Sequence, residues 1–379
     1  MSYAAEQMVA VLKKRTLRDF DWLVAALAIL IVAFGVWEIR NAQPTETYWQ
    51  KQIFGLGIAM VAMLAIAFSD YRRLVDLAPI IYVFGLLLLI VVLFPGIGVK
   101  VNGQRCWIQL GPLGRFQPSE FMKIPVVLML AKVFGKHRTG ALSWKEALKG
   151  GIILLIPLAL ILLEPDMGQA ITYLPLLGIV LFLSSVRMWM VVAVLAACVV
   201  GAPAAYAVGV RTGILHGYKL ERINVILDPE NADKRGFGYH TWQSIVTVGA
   251  GGVKGTHDSE FSQSSLKFLP EPHTDFIFAV TAETTGFIGC ILLLASYALL
   301  LTRLITDARR SRDRTGMLVI MAIVGGLIFQ ISLNVGMAVG LLPVIGVPLP
   351  LMSAGLSAIL STSVAIGFAI SIRLRRFVN

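Results

Sequence analysis

The chain is dominated by a succession of apolar runs, several of which approach or exceed the roughly 18–20 residues needed to cross about 30 Å of hydrocarbon. They lie near residues 21–39, 53–69, 77–95, 120–134, 148–163, 168–185, 189–208, 275–302, 316–340 and 353–372. Inside lipid every backbone N–H and C=O must find a partner within the protein, which leaves helices or a closed barrel. Barrel strands alternate apolar and polar residues over about ten positions, and no such alternation recurs here. Helices follow. With 57% hydrophobic and 15% charged residues, the chain stands apart from ordinary soluble domains. The first run is preceded by Lys13, Lys14, Arg15 and Arg18 and reaches Ile39 without a small-residue cleavage site. It reads as an uncleaved span rather than a signal peptide.

A net charge of +11 would suit a nucleic-acid partner if the basic residues formed one patch. They sit instead in short blocks at the ends of apolar runs, the pattern that membrane orientation produces. With the N-terminus in the cytoplasm, basic residues favour the inside segments by 20 to 6, leaving aside a long outside loop where the rule loses force. The expectation is an all-α polytopic membrane protein of about ten transmembrane helices, forming one domain over residues 1–379. Both termini are expected to be cytoplasmic, with one large extracytoplasmic loop, about 209–274, between spans 7 and 8. Cys106, Cys198 and Cys290 show no metal-binding spacing and no disulfide framework.

Chemistry should sit in the two long outside segments, Gly96 to about Ser119 and Gly209 to about Thr274, and at the polar breaks in the apolar runs. Glu120 and Lys123 are one helical turn apart, so they share a face after Pro118 starts the helix. Ionisable residues at this depth are costly and default to function, although an interfacial anchoring pair is the plainer reading. Glu164-Pro165-Asp166 interrupts a long apolar stretch, as a re-entry or a turn between spans. Gly249 to Gly255 resembles a phosphate loop only superficially; it lacks the required Gly-Lys-Ser/Thr and reads as flexible backbone. Glu271, His273 and Asp275 stand where the long loop enters an apolar run, suited to acid–base chemistry or to capping a helix. Pro343 to Gly355 suits a broken helix lining a cavity.

Taken together these segments resemble the SEDS family (shape, elongation, division and sporulation), its RodA branch more than FtsW. The likeness rests on Arg105-Cys106-Trp107-Ile108, Phe116-Gln117-Pro118-Ser119-Glu120, Pro165-Asp166, Leu227-Asp228-Pro229, Gly238-Tyr239-His240, Phe268 to Ala279, Asn334-Val335-Gly336-Met337 and Leu342 to Pro350. The chain departs from the family pattern at Thr284, where a second glutamate is usual, at Ala354 and Leu356, and at His257 and Phe261. The resemblance implies a ten-span enzyme of the bacterial cytoplasmic (inner) membrane that joins lipid II disaccharide units on the outer face during elongation, releasing undecaprenyl pyrophosphate. Asp275 matches the family's essential aspartate, and a carboxylate in reach of a sugar hydroxyl can take its proton as the oxygen attacks.

The departing pyrophosphate needs cationic partners, for which Arg105, Lys123 and Arg222 are the candidates, with Glu120 holding Lys123. Asp166, Glu271 and His273 complete the expected substrate-binding set. A divalent cation such as Mg or Mn would suit the leaving group's charge, yet no ligand cluster in the sequence requires one. The implied partners are lipid II and undecaprenyl-linked glycan, a class B penicillin-binding protein transpeptidase and elongation-complex proteins. The alternatives are a lipid II flippase, for which intramembrane charges and broken spans are equally suitable, an FtsW-like septal polymerase, and a non-enzymatic scaffold.

Overall fold

A computed structural model describes residues 19–101, 104–111, 114–136, 143–184, 237–256 and 268–376. The expected span at 189–208, along with Arg222, Cys198, Leu227 to Pro229, His257 and Phe261, lies outside the described residues.

The long helices are α1 (Trp22–Ala42), α2 (Tyr48–Phe68), α4 (Ala78–Leu93), α5 (Pro118–Gly135), α6 (Trp144–Leu163), α10 (Ile277–Arg309), α11 (Arg314–Ala338) and α12 (Leu356–Leu374). Shorter pieces are α3 (Tyr71–Asp76), α7 (Met167–Thr172), α8 (Leu174–Leu183) and α9 (Phe237–Ala250). Six of the helices, α1, α2, α6, α10, α11 and α12, are long and apolar enough to cross a membrane. Local sequence sets many of their starts. Asp21, Asp166 and Asp313 each accept a backbone N–H three residues on, and Ser143 with Glu146 forms a reciprocal capping box. Pro118 occupies the first turn of α5, where its missing N–H costs nothing.

α11 and α12 form the interior, α12 packing most extensively on α2, and α11 against α10, α8 and α5. α2, α4 and α6 lie outside them and turn Val61, Ile80, Phe84, Leu155 and Leu163 outward. Such apolar faces are at home against lipid. At the end of the bundle where α1 begins and α10 and α12 finish, Arg373 Nη1 donates to Asp21 Oδ2 at 2.6 Å and Asp307 Oδ1 at 2.5 Å. Arg303 Nε donates to the same Asp21 oxygen at 2.8 Å. Three helices are thereby tied by a buried ionic network.

Four regions differ from the sequence expectation. The segment after Gly96 is no open loop. It folds into β1 (Gly98–Val101), β2 (Gln104–Gln109) and β3 (Arg115–Phe116), an antiparallel sheet in that order, with Val99 opposite Trp107 and Ile108 opposite Phe116. So short a sheet gives no hydropathy signal of its own. The stretch Pro343 to Gly355 is irregular backbone rather than a broken helix. Pro343, Pro348 and Pro350 lack the N–H a helix needs, and the bundle satisfies several carbonyls here: Asn334 Nδ2 donates to Val347 O and Tyr297 OH to Pro350 O.

The third difference is α10, whose 33 residues would measure about 50 Å, well beyond the hydrocarbon. It is broken at Gly286, where φ is 69° and ψ −166°, a conformation open to glycine and strained for other residues. The fourth follows from this break. Gly249 to Gly255, expected to be flexible backbone, is packed into it. Phe287 N donates to Gly252 O at 3.0 Å, Ile288 N to Val253 O at 3.3 Å, and Thr256 N to Glu283 O at 2.8 Å. A Cβ on Gly251 would stand 1.7 Å from Ala282 O, so the approach is possible only for glycine. Beside the break, Thr284 Oγ1 reaches both oxygens of the buried Glu38 carboxyl on α1, at 2.9 and 2.7 Å. The Thr284 hydroxyl therefore meets a carboxyl supplied by another helix.

Candidate active site

Two polar groups converge at the end of the bundle that carries the sheet. The first is built on α5 and the α6–α7 turn. Lys123 Nζ donates to Glu120 Oε2 at 3.1 Å, the pairing that their spacing predicts. Gln169 Nε2 donates to the other Glu120 oxygen at 2.6 Å, and Gln117 Nε2 to Asp166 Oδ2 at 2.9 Å. Both carboxylates are buried, and buried charge persists only when paired and hydrogen-bonded. Burial raises the Asp166 carboxyl above its ordinary range, with the Gln169 N–H pulling it back. Below this group a cavity of about 50 Å³ is lined by Glu120, Lys123, Gln330, Ser361 and Thr362 among apolar side chains.

The second group precedes α10. Asn334 Nδ2 donates to Asp275 O at 2.9 Å, while the Asp275 carboxylate lies against Gly346, where a Cβ would stand 3.3 Å from Oδ2. His273 stacks on Tyr48, ring centroids 4.0 Å apart and 19° from parallel. Its Nε2 is 3.7 Å from Glu271. Burial holds His273 below its ordinary value despite the Glu271 and Glu46 carboxylates, so at neutral pH the ring is uncharged and the Glu271 contact is not an ion pair. Glu271 is exposed.

Gly346 joins the two groups. A Cβ on Gly168, between Asp166 and Gln169, would stand 2.8 Å from Gly346 O and 2.3 Å from Ile345 O. One irregular turn thus borders both the Asp275 carboxylate and the Asp166–Gln169 turn. Arg105 does not join them. Strand alternation sends Gln104 and Cys106 toward the α6–α7 turn, where Gln104 Nε2 donates to Pro165 O and the Cys106 thiol is buried beside Asp166 and Glu164. Arg105 points the other way, 3.4 Å from Leu93 O. Among the described residues no group of three or more His, Cys, Asp or Glu is arranged to hold a metal ion.

Sequence reading assigned no role to Gln117, Gln169, Asn334, Tyr48 or Gln52. Gln117 and Asn334 stand inside motifs and the others are polar or aromatic residues at or near apolar runs, a signal that only the tertiary partner makes legible.

Glu164 is the outlier. It is fully buried, and neither carboxyl oxygen has a hydrogen-bond partner among the described residues. Burial, helped by the nearby Asp166 charge, pushes its pKa up to about 9, so it is a neutral acid at pH 7. The folded state then keeps a proton that the unfolded chain releases above about pH 4.5, and stability falls as pH rises toward 9. Glu164→Gln is neutral at every pH. It should raise the unfolding temperature in detergent by a few degrees, with a gain over wild type that widens from pH 5 to pH 9; a constant gap would show that Glu164 is charged in the fold.

A family model described as cell cycle protein, FtsW/RodA/SpoVE, matches residues 18–376. The peptidoglycan glycosyltransferase MrdB of Escherichia coli strain K12 is 36% identical over 360 residues, 94% of either chain. A chain solved in work on how a peptidoglycan synthase complex coordinates polymerization and crosslinking superposes with a TM-score of 0.81 at 32% identity, over 95% of this chain and 99% of that one. The rod shape determining protein RodA of Thermus thermophilus gives a TM-score of 0.70 at 29% identity, over 95% and 98%.

Proposed function

Because the chain belongs to the FtsW/RodA/SpoVE family, we propose that it is a peptidoglycan glycosyltransferase that polymerises lipid II on the outer face of the bacterial inner membrane, during elongation and rod-shape maintenance. The observation that carries the reading is the seat of Asp275: backbone fixed by Asn334, carboxylate against Gly346, with the Glu120–Lys123–Asp166 group beside the same turn. In this reading Asp275 accepts the proton of the attacking sugar hydroxyl. The new bond joins that oxygen to the anomeric carbon of the second substrate, and the bond from this carbon to the pyrophosphate oxygen breaks. Undecaprenyl pyrophosphate departs with the electron pair. Lys123, held by Glu120, supplies positive charge toward it, and Arg222 is the second cation; Arg105, turned to Leu93 O, is a weaker candidate than its motif suggests. Glu271 and His273 border the acceptor side.

The same reading makes the chain one ten-span domain over residues 1–379, with both termini cytoplasmic and the 209–274 loop outside. Its partners are a class B penicillin-binding protein and other elongation proteins, in line with the synthase complex that furnished the similar chain.

The charged groups inside the bundle, Glu120, Lys123 and Asp166, suit a second reading, passage of the precursor without chemistry. Purified protein given lipid II, with and without its transpeptidase, separates the two. Glycan strands support the polymerase. Their absence, with labelled lipid II crossing vesicles, overturns it in favour of a flippase.

A further inference from the structure

Gln52 lies in α2, far from Asp275 in sequence. Its side chain is 3% exposed, and both ends of the amide are engaged. Nε2 donates to Ser353 O at 3.0 Å, and Oε1 accepts from Gly355 N at 3.1 Å. One donor and one acceptor are thus set across residues 353–355. That turn in turn grips the chain before α10: Ala354 N donates to His273 O at 2.8 Å, and Ser353 Oγ to Thr274 O at 2.6 Å. The same Ser353 hydroxyl accepts from Leu349 N at 2.7 Å. With Asn334 on Asp275 O at 2.9 Å, three successive carbonyls, 273, 274 and 275, are each fixed by a distant element.

We propose that Gln52 is a positioning residue for Asp275, acting through the 353–355 turn that its amide brackets. The inference rests on the glycosyltransferase reading above. Only a side chain with a donor and an acceptor at glutamine's reach meets both bonds. Asparagine is one methylene short, and ionised glutamate can accept from Gly355 N but has nothing to donate to Ser353 O. Without the bracket the turn shifts, and His273 and Thr274 shift with it. A misplacement of about 1 Å at a reacting group can cost about 10²-fold in rate, so the loss falls mainly on kcat.

The test is steady-state polymerisation of lipid II by the full chain with its transpeptidase, comparing wild type, Gln52→Ala and Gln52→Glu at matched unfolding temperature. Gln52→Ala should lower kcat tenfold or more with KM within about threefold, and shift the acidic limb of the kcat/KM pH profile; Gln52→Glu, which sets a carboxylate oxygen against Ser353 O, should lose at least as much. Should Gln52→Ala fold poorly, Gln52→Glu carries the same comparison of kcat against KM. A kcat within twofold of wild type overturns the role. So does a loss that tracks the unfolded fraction with an unmoved pH profile, which would make Gln52 merely structural. Wild-type protein that makes no glycan overturns the enzyme reading itself, and this inference with it; normal wild-type activity alongside a normal variant overturns only the role of Gln52.

Discussion

Asp275→Asn is expected to lower lipid II polymerisation by about 10²–10⁴-fold, the usual contribution of a positioned general base. The exchange is close to isosteric. Asn334 holds the backbone carbonyl of residue 275, not its side chain, so that anchor survives, as do the bonds to His273 O and Thr274 O. The thermal unfolding midpoint should stay near wild type while glycan strands vanish. An asparagine variant polymerising at more than a tenth of the wild-type rate would exclude Asp275 as the base, and Glu271 and His273 would be the next groups to vary.

Arg373→Met should produce the largest loss of stability. Arg373 is the bridge between Asp21 and Asp307, both 2% exposed. Arg303 still serves Asp21, but Asp307 loses the cation on its Oδ1, and an uncompensated buried charge typically costs about 3–5 kcal/mol. Chemical or thermal unfolding in detergent reads this directly. Adding Asp307→Asn removes the stranded charge and should restore part of the loss, because partners in one network do not add independently. If the double variant is no better than the single one, the network is not what holds α1, α10 and α12 together.

Much of this molecule is legible in the sequence because lipid imposes a simple grammar: runs of about 20 apolar residues declare helices, and an i,i+3 pair of opposite charge declares a shared face. Glu120 and Lys123 obey the second. Less visible are features decided by partners far along the chain. Gln52 reads as a stray polar residue until the 353–355 turn is set beside it, and Gly249 to Gly255 reads as slack until the broken α10 is. Arg105 carries a motif but alternation along β2 turns it from the α6–α7 turn that its neighbours face. The sheet itself is too short for a periodic signature, and the glycine at 286 looks like any other inside an apolar run.

The break at Gly286 has a mechanical side. It divides α10 into a nine-residue stub, 277–285, and a long rod running to Arg309, while the glycine turn from the loop is stapled to both sides of the joint. Two side chains, Asn334 and Ser353, tether the stub's leading end. Held at both ends, the stub works as a short lever with Asp275 at its tip. In the glycosyltransferase reading, a partner gripping the 249–256 segment would sit nine residues from Asp275 rather than the full length of α10 away.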